Sequence, residues 1–511
     1  MVTFAELVAA RAEDDRVGLR FEDAAWTWRE VVAEARSRAA EIPRGAHVGV
    51  LLENVPEYLF WIFGAALAGG VVVGINPTRR GSELAADIRH TDCAFIVTDA
   101  SQARLLDGLP LGAPVRLMDE AGVPSRRRGA GGLAGRTEPG REDPLLLLFT
   151  SGSTGAPKAV VCSQGRLADI GAYGERFGIG RESVTYVAMP LFHGNSIMAN
   201  VAMATYAGAT ITLRRRFSAG AFITDIRKYQ ATYVNYVGRA LAYILATPEA
   251  PDDGDNALRV AFGTEASARD MAEFARRFGC QVIEGYGSSE GAISLNRTPE
   301  TPPDALGLPP EGMEVAVHDQ ETGLECPRAE FDGTGALVNG DAAIGELVGR
   351  NVRFEGYYNN PEAEARRMRD GWYWSGDLGY RDQAGYFYFA GRDLDWLRVD
   401  SENFAAAPVE RIIARHPKVV MVAVYAIPDP VTGDQVMAAI EGDLTPDELG
   451  NFLKRQEDLG TKWAPRYVRL VKEMPLTATN KVDKRGLRKE ATATTDPLWH
   501  RPGKELRYVP L

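Results

Sequence analysis

The residues best suited to chemistry lie close together in LLLLFTSGSTGAPKAV, from Leu145 to Val160. Thr150, Ser151, Ser153 and Thr154 supply hydroxyls, Gly152 and Gly155 leave backbone N–H groups unobstructed, and Lys158 adds a positive charge on a flexible stem. A chain of this kind can curl around an anion, with amide donors close to it and no side-chain bulk in the way. A polyphosphate asks for these parts. Pro157 restricts the residue before it and shapes the loop exit. A Ser/Thr/Gly-rich linker has the same composition, but a linker rarely follows directly on a run such as LLLLF. The spacing is not the P-loop GxxxxGK[ST], because Ala159 rather than Ser or Thr follows Lys158.

Such a loop needs a buried strand before it and a layered scaffold around it. The early sequence predicts both. Thr3 with Glu6, and Thr27 with Glu30, predict capping boxes at two helix starts. Apolar runs at His47–Leu52, Val71–Ile75 and Ala94–Asp99 alternate with helical stretches, which predicts a parallel sheet covered by helices. A second α/β stretch runs on to about Gly291, through the apolar runs Tyr186–Phe192, Ala209–Phe217 and Ala231–Val237. Beyond Pro302 the pattern changes to short alternating strands between Gly-containing turns, as in a small barrel. After Arg392 a helix, an apolar strand and another helix predict a small α+β domain. The Arg- and Gly-rich segment from about Gly122 to Asp143 reads as an exposed loop or linker.

Composition narrows the classes. The chain has 511 residues, too many for one hydrophobic core, and is 45% hydrophobic and 25% charged, as an ordered globular protein is. A formal net charge of −11 argues against a general nucleic-acid or anionic-membrane binder, but not against a nucleotide held by local amides and a few cations. Cys93, Cys162, Cys280 and Cys326 are scattered without a CxxC pair, which favours a reducing compartment over a disulfide or zinc framework. The amino terminus lacks a secretory pattern, and Leu59–Ile75 falls short of the ~20 apolar residues of a spanning helix, so a cytoplasmic protein is expected.

FTSGSTGAPKAV resembles the phosphate-loop signature of the adenylate-forming enzymes, the superfamily of acyl-CoA synthetases, firefly-type luciferases and peptide-synthetase adenylation domains. Four further stretches follow in the expected order: EGYGSSEG (Glu284–Gly291), YWSGDLGY (Tyr373–Tyr380), FAGRDLDWLRVDSENF (Phe389–Phe404) and MPLTATNKVDKRGLRKE (Met474–Glu490). The resemblance implies a large amino-terminal domain, residues 1–391, of two helix-covered α/β subdomains and a small β-barrel. A small mobile α+β domain, residues 392–511, would close over it. It implies two half-reactions: a carboxylate attacks the α-phosphate of ATP, and a thiol then attacks the acyl-adenylate and releases AMP. ATP, Mg2+ and coenzyme A are the implied small molecules.

Carried onto this sequence, Thr150–Lys158 would hold the β- and γ-phosphates and Glu290 the magnesium, with the Ser289 hydroxyl beside it. Tyr286 would lie against adenine, with Gly285 and Gly287 allowing close approach and Glu284 opening the motif. Asp377 would take the ribose hydroxyls and Arg392 the ribose or phosphate. Lys481 would bridge the acyl carboxylate and the α-phosphate; Lys484 reads as a surface charge. Phe192, His193, Gly263 and Thr264 would line the acyl pocket, with His193 between that pocket and the thiol tunnel. Leu394, Ser401 and Glu402 fall at the hinge and the thiol-side loop. The carboxy-terminal stretch Asp496–Leu511, with WLRVDSENF, resembles the very-long-chain acyl-CoA synthetase and fatty-acid-transport branch, which implies a long or bulky hydrophobic acid.

The pattern departs from the family at Ala159 and Ser401, usually Gly, at Leu394, usually Asp or Lys, and at Asn480, usually Gly. These departures open the alternative of a member specialised for one half-reaction and working with a partner ligase. An enzyme loading a carrier protein in trans and an acyl-adenylate-binding sensor or scaffold are further alternatives. A homodimer is compatible with the sequence.

Overall fold

A computed structural model of the chain describes residues 2–118, 137–149, 157–237, 240–298, 300–333, 337–392, 396–399, 402–429, 433–456, 459, 463–476, 482–503 and 505–511. Strands of these residues form four sheets. The first runs in the order Val115–Leu117, Cys93–Thr98, His47–Leu51, Val71–Gly74, Pro144–Phe149, Ala159–Ser163, all parallel except the last pair. The Pro144–Phe149 strand directly precedes the hydroxyl-rich part of the sequence, and Ala159–Ser163 lies antiparallel beside it.

The second sheet has the order Ser294–Asn296, Gln281–Gly287, Val260–Thr264, Tyr233–Val237, Val184–Val187, Thr210–Leu213, Val17–Phe21, Ala24–Thr27, with a parallel interior and an antiparallel strand at each edge. Both capping boxes are present, at Thr3 and at Thr27.

The helix Pro56–Ala68 joins the two sheets. Pro56 at its first turn has no N–H to leave unpaired, and Gly69 ends it in the left-handed region at φ +66°. Leu59, Phe60, Ile62 and Phe63 are fully buried in one cluster with Leu146 and Leu148 of the first sheet and Leu19, Ile211 and Leu213 of the second. Each such side chain contributes roughly 1.5–3 kcal/mol by leaving water. The two α/β layers therefore share a core, and the apolar run Leu59–Ile75 is a core helix followed by the Val71–Gly74 strand. Among the described residues no helix is long and apolar enough to cross a membrane.

Glu314–His318, Gly345–Arg350, Trp372–Arg381, Met368–Arg369 and Phe387–Arg392 form an antiparallel third sheet, where the short alternating strands were expected. From Trp396 onward a fourth sheet is built on the Val419–Asp429 and Gly433–Gly442 hairpin, with the helices Ala406–Ala414 and Pro446–Leu453.

Two local features refine the sequence reading, and the second corrects it. The apolar run Tyr186–Phe192 is strand only to Val187. Beyond it the side chain of buried Asn54 donates to the Met189 carbonyl (2.9 Å) and accepts from the Leu191 N–H (2.8 Å), so one amide replaces the sheet ladder. Lys484 is a half-buried ion-pair partner of Glu410 (2.9 Å) rather than a surface charge, because it opens the short helix Lys484–Glu490 against the sheet.

Candidate active site

The Gln281–Gly287 strand lies parallel to Val260–Thr264, and its end turns at Ser288–Gly291, where the Gly291 N–H bonds the Ser288 carbonyl (2.9 Å). Glu284, Gly285, Tyr286 and Gly287 sit on this strand, and Ser289 and Glu290 on the turn. Buried Arg166 holds the turn in place. Its guanidinium donates to the Ser289 carbonyl (2.6 Å) and to the Val161 carbonyl (3.0 Å), tying the turn to the Ala159–Ser163 strand that starts directly after Lys158.

A third segment closes this corner. The Ser163 N–H and hydroxyl both donate to Glu355 (2.7 and 2.6 Å), the Val161 N–H donates to the Gly356 carbonyl (3.2 Å), and the Tyr358 N–H to the Ala159 carbonyl (2.8 Å). Residues Glu355–Tyr358 thus run along the strand beyond Lys158 and bring buried Tyr357 to the turn. The Tyr357 hydroxyl donates to Glu290 Oε1 (3.0 Å), and the Lys158 ammonium stands 6.0 Å from the Tyr357 ring centre. Burial, and then the charges of Arg367 and Arg366, hold the Lys158 ammonium below its ordinary pKa, while Glu290 pulls it the other way. Asn360 caps the next helix, Pro361–Arg367, and its amide donates to the Pro157 carbonyl (3.0 Å).

Four residues before Glu290, the Tyr286 hydroxyl donates to Asp377 Oδ2 (2.7 Å). The Ser375–Asp377 turn is itself fixed: the Gly376 N–H donates to Glu346 (2.6 Å) and the Asp377 N–H to the Ser375 hydroxyl (3.0 Å). Across the hairpin Asp377 pairs in register with Arg392. A carboxylate, a phenol and a tight turn therefore meet at one point from two sheets.

Earlier on the strand, at Glu284, the packing is close. Gly263 pairs in register with Tyr236 on one side and Glu284 on the other. A Cβ at Gly263 would collide with the Tyr236 carbonyl and stand 2.5 Å from its ring, so only glycine admits this approach. The Ala266 N–H and, at 3.4 Å, the Tyr236 hydroxyl donate to Glu284. Burial nevertheless pushes the Glu284 carboxyl up to about 8. Beside it run the buried amides Asn200, donating to Asn235 (2.8 Å), and Asn235, donating to Asn195 (2.7 Å). His193 precedes the short helix Gly194–Ser196. Gly194 packs so near Ser289 that a Cβ there would lie 3.0 Å from its hydroxyl, which links the His193 segment to the Glu290 turn. Buried Phe192 adjoins it.

Lys158, Ser289 and Glu290 are thus gathered at one corner, with the Phe192–Gly194 segment packed beside Ser289; Tyr286 meets Asp377 at the next, and Gly263 pairs with Glu284 earlier on the strand, one residue before Thr264. Sequence reasoning missed Tyr357, Arg166, Glu355 and Arg367. The one local sign was GYYNNPE itself, a turn, two aromatics and a capped helix start, which carries no chemistry alone. Thr150, Ser151, Gly152, Ser153, Thr154, Gly155, Leu394, Ser401 and Lys481 lie outside the described residues. Arg392 and Glu402 are described as backbone only.

Residues 6–358 match the model of the AMP-binding enzyme family, and residues 408–481 that of the AMP-binding enzyme C-terminal domain. The chain is 50% identical to steroid-22-oyl-CoA synthetase of Rhodococcus jostii (strain RHA1), over 98% of this chain and 93% of that one. It is 44% identical to medium/long-chain-fatty-acid–CoA ligase FadD17 of Mycobacterium tuberculosis (strain ATCC 25618 / H37Rv), over 97% and 98%. Its fold is similar to that of ATP-bound MatB from Rhodopseudomonas palustris, with a TM-score of 0.82 at 24% identity over 95% of this chain and 98% of that one.

Proposed function

This chain belongs to the AMP-binding enzyme family, and we propose that it is an ATP-dependent acyl-CoA ligase for a long or bulky hydrophobic carboxylic acid. The observation that carries the reading is the corner where Lys158, Glu290 and Tyr357 meet next to the Tyr286–Asp377 pair. It offers a cation and a fixed carboxylate for a polyphosphate, and a second fixed carboxylate for a sugar, on one strand and its turn. The names of the two relatives support the acid class.

In this reading the acid's carboxylate oxygen attacks the α-phosphorus of ATP and pyrophosphate leaves. The thiolate of coenzyme A then attacks the acyl carbon, and AMP departs with the oxygen that came from the acid. Both reactants of the first step are anions, so the chain must supply positive charge and hold them in line. Lys158 supplies charge at the terminal phosphates, Asp377 fixed by Tyr286 holds the ribose, and His193 borders the acyl carboxylate. Lys481 is proposed at the α-phosphate, and the part of the chain beyond Arg392 as the lid that delivers it.

Glu290 suits Mg2+. Among the described residues no group of three or more His, Cys, Asp or Glu forms a self-sufficient metal cage. Mg2+ is commonly held by one or two carboxylates together with substrate phosphates and water. When bound, it would neutralise phosphate charge.

The test is a panel of acids with ATP, Mg2+ and coenzyme A, from benzoate through fatty acids to steroid side-chain acids, scored for AMP and acyl-CoA. The reading expects both products in equal amounts, highest with a hydrophobic acid. ADP as the product, or no nucleotide cleavage with any acid, contradicts it. AMP without acyl-CoA would point instead to an adenylation specialist.

A further inference from the structure

The corner around Lys158 carries more positive charge than one lysine. The helix Pro361–Arg367 ends in Arg366 and Arg367, and both charges reach Lys158. Arg367 also lies within electrostatic reach of Glu290, Tyr357 and Tyr373. Three other arginines of the chain are neutralised by carboxylates: Arg353 pairs with Asp169, Arg381 with Glu325 and Arg277 with Asp253. Among the described residues, Lys158, Arg366 and Arg367 form no ion pair, and the carboxylate of Glu290 offsets the two arginine charges at Lys158. Like charges repel, the more so where Lys158 and Arg367 are half-buried, and the arrangement is relieved by an incoming anion.

Cations at a helix end have a plain explanation, since they complement the helix dipole. Arg367 does something else. Its Nη1 leaves its own helix and donates to the Trp374 carbonyl (3.0 Å), two residues before Gly376. Gly376, at φ +76°, lies so near that a Cβ there would stand 2.6 Å from Arg367 Nη1. The guanidinium is therefore threaded between the Asp377 turn and the Glu290–Tyr357 corner.

We propose that Arg367, backed by Arg366, is a second cationic arm that grips the terminal phosphates of the nucleotide, and the pyrophosphate once formed, opposite Lys158. The proposal rests on the reading of this corner as a nucleotide site. Its planar fork suits phosphate oxygens, and by touching the Asp377 turn it links phosphate engagement to ribose placement.

The test measures binding of inorganic pyrophosphate and of AMP separately, by calorimetry with Mg2+, for the full chain and for Arg367→Gln, Arg367→Lys and Arg366→Gln. AMP lacks the terminal phosphates and serves as the control for a merely structural role. Arg367→Gln is expected to weaken pyrophosphate by about tenfold or more and AMP by less than about twofold. Arg367→Lys, which keeps the charge and loses the fork, should recover only part of the loss, and Arg366→Gln, at an exposed position, should cost about threefold. Unchanged pyrophosphate binding in Arg367→Gln, or equal losses for both ligands, would overturn the proposal. If Arg367→Gln does not fold, Arg366→Gln decides: unaltered pyrophosphate binding there overturns it. A wild-type chain that binds neither ligand would overturn the nucleotide reading along with it, whereas binding of both with no response to the variants overturns the second arm alone.

Discussion

The two ends of the Gln281–Gly287 strand are held by different forces. Toward Glu290, side chains from three parts of the sequence converge on charge: Lys158 after the first sheet, Tyr357 from the segment that crosses it, and Arg367 from the helix beyond. Toward Glu284 close packing dominates: Gly263 lies against Tyr236, and the amides Asn200, Asn235 and Asn195 follow on the next strand and beyond it. The first end is assembled by hydrogen bonds across as many as 203 residues, between Asn360 and Pro157. The second is assembled by a parallel ladder of adjacent strands. The charged end should respond to loss of a single charge by losing nucleotide chemistry with the fold intact. The packed end should respond to volume, and its effects should follow the acid rather than the nucleotide.

The sharpest break of that contrast is Glu290→Gln. Removing the charge that balances Lys158 and is proposed to hold Mg2+ is expected to cut AMP formation by about a hundredfold or more, on the scale of other lost charge-stabilising groups. Affinity for the acid should hardly change. Steady-state kinetics with each substrate varied in turn checks this. Equal losses for ATP and acid would erase the distinction between the ends.

Gly263→Val probes the packed end. The added side chain meets the Tyr236 backbone and ring, and overpacking of this kind costs about 1–3 kcal/mol. The expected outcome is a thermal midpoint lower by several degrees and about a tenfold drop in kcat/KM for a bulky acid, with the ATP KM unchanged. Kinetics with a bulky and a small acid checks whether the loss follows acid size.

The smallest effect concerns pH. Burial holds the folded Glu284 carboxyl up to about 8, above its ordinary range. The folded chain therefore keeps a proton that the unfolded chain releases above about 4.3, and stability falls as pH rises from there toward about 8. Glu284→Gln removes that dependence. Between pH 5 and 8, denaturant unfolding should show wild type losing stability steadily relative to the variant. A parallel dependence in both proteins would mean that Glu284 is ionised in the fold.

What could be read from sequence also divides along this line. Helix starts at Thr3 and Thr27, the core helix at Pro56–Ala68 and the alternation of the first sheet follow from local rules. Glu290, Tyr286 and Asp377 stood out because each sits in a short ordered motif, and the fold brings Tyr286 to Asp377 as a bonded pair. Tyr357 and Arg367 were silent, because what makes them notable is contact with Glu290 and the Asp377 turn, and no spacing along the chain encodes that. Acyl-end geometry was silent for another reason. The room beside Gly263 depends on where a neighbouring strand sets Tyr236, a packing outcome rather than a pattern. The apolar run Tyr186–Phe192 shows the same limit, since its strand ends at Val187 where buried Asn54 takes over the backbone hydrogen bonds.

The most direct test of the central claim follows the oxygen of the acid. A hydrophobic acid labelled with 18O in its carboxylate is incubated with the protein, ATP, Mg2+ and coenzyme A, and the products are analysed by mass spectrometry. The account predicts AMP carrying one 18O in its phosphate, together with an equal amount of acyl-CoA. Label appearing in inorganic phosphate with ADP, or AMP free of label, would contradict attack of the carboxylate on the α-phosphate and with it the account.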